Sequence, residues 1–381
     1  MRLGLVTTES ADNLSPDLQD ALADHWQVAD APDLQQIADA VRCLSGPIGL
    51  VERLIGALEQ LQVPLARYVG RSASRGWTDT ALNVREKSRM KSGLRSAGIP
   101  CARHQLVTRT EEATSFLAEV GLPMVAKPPA GAGVQAIYRL DTTEDFASWP
   151  RAAQANSAEV WLPEEFLTGR EHTFDSVTIE GNTLWASLSD YQPPPLEVLR
   201  TPCVQWTVVL PRAIDGAEYD SIKQIGPAAL RALGVQTAFT QMELFARPAG
   251  SVAVSELGAR PPAAQLASMI GFSHDIDFYS MWAELVLLGT FNPPDRVYAT
   301  GTAYLRGQGR GLVRTVHGVD EMQRELGHLV IDARLPRPGQ PASTSYEGEG
   351  FITVRHENTA VVRAALDRII SELRVELVEA E

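Results

Sequence analysis

Cysteine is scarce in this chain. Cys43, Cys101 and Cys203 are the only three in 381 residues, far apart and without metal-ligand spacing. So few and odd a number excludes a disulfide framework and fits a reducing compartment. Long apolar runs are missing as well. No stretch of 18 or more exists, so no membrane span is expected. The opening MRLGLVTTES lacks the basic start and long apolar core of an export signal, so a cytoplasmic location is expected. Basic runs are absent: the formal charge is −13, which argues against nucleic acid as a partner. No G-x-G-x-x-G follows the first predicted strand, no Walker A sequence is present, and neither H-E-x-x-H nor G-x-S-x-G occurs. Dinucleotide binding at the N-terminus, zinc peptidase chemistry and a nucleophile elbow therefore have no support.

What is present is an ordinary globular composition, 44% apolar and 21% charged, in a length sufficient for two or three domains. RLGLV reads as a first strand. IGLVERLIGALEQLQVP (48–64) reads as a strand or turn followed by an amphipathic helix, so an open α/β layer is expected over residues 1–84, with 70–80 as a polar connector. EKSRMKSGLRSAGIP is a basic helix stopped by Gly98 and Pro100; Lys87, Arg89, Lys91 and Arg95 could form a solvated face. A helix ending at Gly121 precedes LPMVAKP, a buried strand with Lys127 at its end. The loop after it holds Ala130, Gly131, Ala132 and Gly133. Strand, lysine and small-residue loop are the layout of a phosphate cradle, in which backbone N–H groups approach the anion and the lysine neutralises it; a plain hairpin turn has the same composition. Residues 159–191 are dense in strand formers and set Glu164, Glu165 and Glu171 around Phe166-Leu167. QPPPLEVLRTPCVQW reads as a long loop. Helices are expected over 219–234 and 272–289, the second largely buried. Beyond Asn292, glycine-punctuated strands lead to a closing amphipathic helix in NTAVVRAALDRIISELRVEL.

The runs TAFTQMELFARP and SVAVSELGARPP flank Pro248-Ala249-Gly250 and read as a β-hairpin. A loop with an even number of residues places Glu243 and Glu256 on one face, and a tip at Ala249-Gly250 places them directly opposite. Opposed like charges destabilise a sheet. A divalent cation would turn that penalty into a site, since two carboxylates and substrate phosphates suit Mg²⁺. Two solvated glutamates are the other reading. Arg260 shares the parity of Glu256 if the strand continues.

The order Lys87, Lys127 with its glycine loop, EEFLTGRE, and the two-glutamate hairpin with Arg260 resembles the ATP-grasp superfamily. Within it, the likeness is to carboxylate–amine ligases of the biotin-carboxylase-like and L-amino-acid ligase type, over nearly the whole chain. The resemblance implies an α/β fold, α+β in its central part. The N-terminal open α/β domain would span 1–84, an ATP-grasp domain 85–290 with its lid at about 120–190, and a C-terminal lobe of strands plus a closing helix 291–381. It implies that Lys87, Lys127 and the loop Ala130–Gly133 hold ATP phosphates. Glu164, Glu165 and Leu167 would hold the adenine, Glu171 the ribose, Glu243 and Glu256 a Mg²⁺ or Mn²⁺ ion, and Arg260 the reacting acyl phosphate. The reaction implied joins a small-molecule carboxylate, such as an amino acid, to an amine, with release of ADP and phosphate. A homodimer is one assembly it leaves open. The family's E-x-N-x-R reads here Glu256-Leu-Gly-Ala-Arg260, without the asparagine ligand, and a position often histidine is Gln241. A bicarbonate-using carboxylase and a non-catalytic ATP-binding module are the alternative readings.

Overall fold

The computed structural model describes residues 2–70, 76–129, 137–154, 160–201, 203–247 and 250–379. Strands β1 (Gly4–Thr7) and β2 (Asp24–Gln27) pair in parallel across α1 (Pro16–Ala21). In α2 (Leu34–Ile48) the Asp33 side chain caps the N-terminus, accepting from the Gln36 N–H at 2.7 Å, and Ile37, Ala40, Val41 and Leu44 face inward. The expected α/β start is thus present. The helix expected within 48–64 is not. Pro47 already lies in the last turn of α2, and Gly49 leaves it at φ +87. Residues 51–57 run without regular structure into a 3₁₀ turn, Glu59–Leu61, and then α3 (Gln62–Val69). The polar connector also holds a helix start, since α4 spans Gly76–Arg85.

Helices α5 (Lys87–Ser96) and α6 (Thr110–Val120) lead to β3 (Met124–Lys127), β4 (Tyr138–Leu140), α7 (Thr143–Gln154) and β5 (Leu162–Glu165). The three strands form an antiparallel sheet with β3 in the middle. Phe116, Met124, Leu140, Phe146 and Trp161 form its core. All four residues of β3 are buried, as its unbroken apolar run suggests.

The remainder is built on one large sheet. It takes β6 (Arg170–Ile179), β7 (Asn182–Gln192), a short α8 (Pro195–Arg200), β8 (Trp206–Leu210), α9 (Asp220–Ala232), β9 (Ala238–Ala246) and β10 (Val252–Gly258). Then come α10 (Leu266–His274), α11 (Phe278–Leu288), β11 (Ala299–Leu305), β12 (Leu312–His317) and α12 (Val319–Leu326). The chain closes with β13 (Val330–Arg334), β14 (Gly350–His356), α13 (Thr359–Glu372) and β15 (Arg374–Val378). Eight strands pair antiparallel in the order β10-β9-β6-β7-β8-β11-β14-β13, so strands from both sides of residue 290 share one sheet.

Three expectations change here. The stretch 192–206 carries α8 and the start of β8 rather than one long loop. Residues 272–289 are two helices, because Asp275 adopts a left-handed conformation at φ 56 and the Asp277 side chain caps α11, accepting from the Tyr279 and Ser280 N–H groups. Helix α11 is also less buried than expected, with Tyr279 and Leu288 exposed. Finally, the closing helix ends at Glu372, and RVELV becomes β15, paired with β12.

Helix α9 packs over β6 through Gly226. A Cβ built there would lie 2.7 Å from the Phe174 ring, which is buried beneath it. Gly226→Ala is therefore expected to lose about 1–3 kcal/mol of stability through overpacking. Urea denaturation of the variant beside the parent measures the difference.

Candidate active site

The site begins with the register of the β9–β10 hairpin. Arg247 N–H donates to Ser251 O at 2.8 Å, which leaves three residues between them in sequence, an odd number. Pro248 and Ala249, the second of them half of the expected Ala249-Gly250 tip, lie outside the described residues. An odd loop alone would send Glu243 and Glu256 to opposite faces. A bulge between Val254 and Glu256 inserts one residue, Ser255, and shifts the register by one. Glu256 then stands directly opposite Glu243. The facing carboxylates arise from two irregularities that offset each other, not from an even loop. The freed Ser255 carbonyl accepts from Lys91 Nζ at 2.5 Å.

Around this pair the expected residues converge. Lys127, Glu164, Glu165, Leu167, Glu171, Glu243, Glu256 and Arg260 all line one cleft of about 450 Å³. Lys87 adjoins it through an ion pair with Glu256, 2.7 Å from Nζ to Oε1. Its backbone N–H also donates to Pro129 O at 3.0 Å, tying the start of α5 to the exit of β3. Ala130, Gly131, Ala132 and Gly133 lie outside the described residues.

Lys87 and Lys91 are not a solvated face. One turn apart on α5, they are 4% and 0% exposed. Glu164 is ion-paired with Lys127 at 3.0 Å and with Lys91 at 3.5 Å, so its carboxylate is committed to lysines. Glu165 pairs with Arg103 at 3.1 Å. Burial lowers the Lys91 pKa, with Glu164 opposing. At Lys127 burial acts the same way, but Glu164, Glu256 and Glu243 outweigh it and the pKa rises. Glu171 is pushed well up by burial, then by Glu243 and Glu256.

The facing carboxylates titrate apart. Burial and then Glu256 raise Glu243 to about 7. Glu256 also feels burial, but Lys87 and Lys127 overcome it and hold its pKa below the usual range. A cation would replace the proton that Glu243 retains. The oxygen-only donor pair fits a hard ion that keeps its other positions for water and phosphate oxygens. Among the described residues, no three His, Cys, Asp or Glu side chains are placed to hold a metal alone.

Arg260 lies two residues past the end of β10, so continuous strand parity does not place it. Its Nη1 donates to Gln241 Oε1 at 3.0 Å and to Pro261 O at 2.8 Å, and its Nη2 reaches Glu59 at 3.3 Å. Gln241 therefore braces the arginine. Glu59 also accepts from Arg85 at 2.8 Å. Ala57, Leu58, Glu59 and Gln60, at and before the 3₁₀ turn, form part of the cleft wall. Glu59, Lys91, Tyr191 and Tyr346 are the residues sequence reading missed. Only Lys91 had a signal, its four-residue spacing from Lys87.

Asp175 on β6 is fully buried, its Oδ2 accepting from the Thr173 hydroxyl at 2.7 Å. Burial raises its pKa to about 7, against partial relief from Thr173 and Arg260. The folded state then keeps a proton that the unfolded chain has lost above its ordinary value of 3.8. Stability should fall as pH rises from about 4 to about 7 and level off above, by a few kcal/mol at most. Asp175→Asn should flatten this part of the profile, as measured by urea midpoints across that range.

No family model matches the chain. It is 23% identical over 222 residues to the L-arginine-specific L-amino acid ligase of Bacillus subtilis, covering 57% of this chain and 52% of that protein. The chain spans about half the length of the curated relatives it matches. Among solved structures, the L-amino acid ligase of Bacillus licheniformis superposes with a TM-score of 0.76 at 18% identity, over 100% of this chain and 93% of that one. The biotin carboxylase domain of Hydrogenobacter thermophilus 2-oxoglutarate carboxylase, a dimer solved with MgADP, ADP and bicarbonate, gives 0.62 at 14%, over 97% and 84%. No helix among the described residues is long and apolar enough to cross a membrane.

Proposed function

The chain has the ATP-grasp fold, and we propose that it is an ATP-dependent carboxylate–amine ligase acting on an amino acid or similar acid. The single observation that carries this reading is the convergence of Lys127, the Glu243–Glu256 pair and Arg260 on one cleft. Lys87 and Lys127 would meet the phosphates of ATP, and the segment Glu164–Leu167 its base. Because the Glu164 carboxylate is held by lysines, backbone groups there would contact the adenine. Glu171 would reach the ribose. Glu243 and Glu256 would hold Mg²⁺, which supplies charge neutralisation of the phosphates.

A carboxylate oxygen of the acid attacks the γ-phosphorus of ATP. The bond to the β–γ bridging oxygen breaks, and ADP leaves with its electron pair. The amine nitrogen then attacks the acyl carbon. Phosphate departs with the electrons of the C–O bond, and the nitrogen gives its proton to solvent. Little covalent work falls to the protein beyond in-line positioning and charge neutralisation. Arg260, its Nε and Nη2 turned to Glu59 and its Nη1 taken by Gln241 and Pro261, would offer its charge and the remaining Nη2 N–H to the oxygens of the acyl phosphate and the tetrahedral intermediate, and would exchange Glu59 for them to use its full fork.

Arg260→Lys keeps the charge and loses the fork. Its kcat is expected to fall by roughly two to three orders of magnitude, with ADP affinity almost unchanged. Steady-state kinetics beside a nucleotide titration measure both; near-normal kcat, or a loss confined to nucleotide affinity, removes Arg260 from the reacting centre. The function itself is tested by screening amino acids in pairs for phosphate release, with mass spectrometry of the product. An amide formed with ADP supports the reading, and nucleotide binding without turnover on any pair favours a binding module.

A further inference from the structure

We propose that the acid activated in this cleft carries an uncharged, apolar side chain, aliphatic or aromatic, seated against Tyr191, Leu196 and Tyr346. The inference rests on the ligase reading above and specifies its substrate class.

The wall in question is the open edge of a hydrophobic core. Trp206, wholly buried, is at its centre, with the Tyr304 ring stacked on it at 4.2 Å. Tyr191 meets Trp206 edge-on at 5.7 Å and Tyr346 lies against it at 5.6 Å. Two hydrogen bonds lock these pieces. The Trp206 indole N–H donates to Tyr346 O at 2.6 Å, and the Tyr304 hydroxyl donates to Ala264 O. Of the partly buried residues packed against this core, Tyr191, Ala264 and Tyr346 line the cleft. Pro195 and Leu196, from the start of α8, complete the wall.

This wall stands beside the proposed reacting centre. Burial pushes the Tyr346 hydroxyl up to about 12, and Glu243 and Arg260 are among the charges that act on it. An acid whose carboxylate faces Arg260 would therefore set its side chain among these rings. None of Tyr191, Pro195, Leu196, Ala264 or Tyr346 carries a charge. A charged side chain there would lose hydration with no opposite charge among these five residues to replace it. An apolar one gains contact with rings already fixed by Trp206, so little further ordering is required.

The test uses the full chain with MgATP, hydroxylamine as the amine, and each standard amino acid as the acid. Hydroxylamine nitrogen attacks the acyl phosphate carbon, phosphate leaves, and the hydroxamate is read by mass spectrometry. Leucine, methionine and phenylalanine are expected to exceed aspartate, glutamate, lysine and arginine in kcat/KM by about tenfold or more. Leu196→Glu should lower the leucine and phenylalanine rates by about tenfold or more and favour lysine and arginine instead, with ADP affinity by calorimetry unchanged. Should that variant lose ADP binding as well, Leu196→Gln reads the same ranking without a charge. Charged acids as the best substrates, or an unaltered ranking in the Leu196 variants, would overturn the apolar assignment and leave the ligase reading standing. No hydroxamate from any acid overturns the ligase reading and this inference together.

Discussion

Lys127→Ala should bind ATP about ten- to a hundredfold more weakly and turn over almost nothing. Removing a charge-assisted contact to phosphate costs about 1.5–3 kcal/mol. The lysine is 6% exposed, at the end of a strand buried along its whole length, and faces the cleft. Its ion pair with Glu164 raises a competing explanation, because the truncation also leaves that carboxylate with Lys91 alone. Lys127→Ala combined with Glu164→Gln separates the two. If Lys127 serves only as a counter-ion, the double variant regains both stability and nucleotide affinity. If Lys127 holds phosphate, stability returns and affinity does not. Calorimetry with ATP beside urea denaturation of the three proteins decides between them.

Glu256→Gln should abolish activity at ordinary Mg²⁺ concentrations while leaving the fold intact. The amide keeps the size of the side chain and a hydrogen bond acceptor for Lys87, now 2.7 Å from the carboxylate. What it removes is one of two anionic donors facing each other across the hairpin. Charge stabilisation by a metal ion amounts to several kcal/mol, so a loss of about two to four orders of magnitude is expected. A readout independent of turnover is the Mg²⁺ dependence of ADP binding. In the parent, chelation with EDTA should weaken ADP binding markedly; in Glu256→Gln, adding or removing Mg²⁺ should make little difference. A structure with MgADP that showed both carboxylates turned away from the ion would contradict the assignment.

Local chemistry made much of this site legible. The strand ending in Lys127 is an unbroken apolar run, and β-branched residues flanking Pro-Ala-Gly mark the hairpin. The sequence pairs Glu243 with Glu256 only through an even loop, and the loop is odd. Side-chain parity assumes an unbroken ladder, and a bulge at Ser255 has no strong sequence mark. The burial of Lys87 and Lys91 is hidden because a basic helical face looks the same whether it meets water or the distant Glu164, Ser255 carbonyl and Glu256. Glu59 was beyond reach for the same reason: its value comes from Arg85 and Arg260, distant in sequence. Its amphipathic surroundings suggested a helix, and tertiary contacts overrode that local preference. The break at Asp275 was different. Asp277 before Phe278-Tyr279-Ser280 is an N-cap signal that the apolar periodicity masked.

The central claim is that a carboxylate attacks ATP and passes through an acyl phosphate. Supplying an accepted acid with its carboxylate oxygens isotopically labelled tests this directly. Amide formation should transfer a single labelled oxygen from the acid into the released inorganic phosphate, in step with ADP. Amide formed with unlabelled phosphate would contradict the mechanism, since the oxygen joining the acyl carbon to phosphorus must come from the acid.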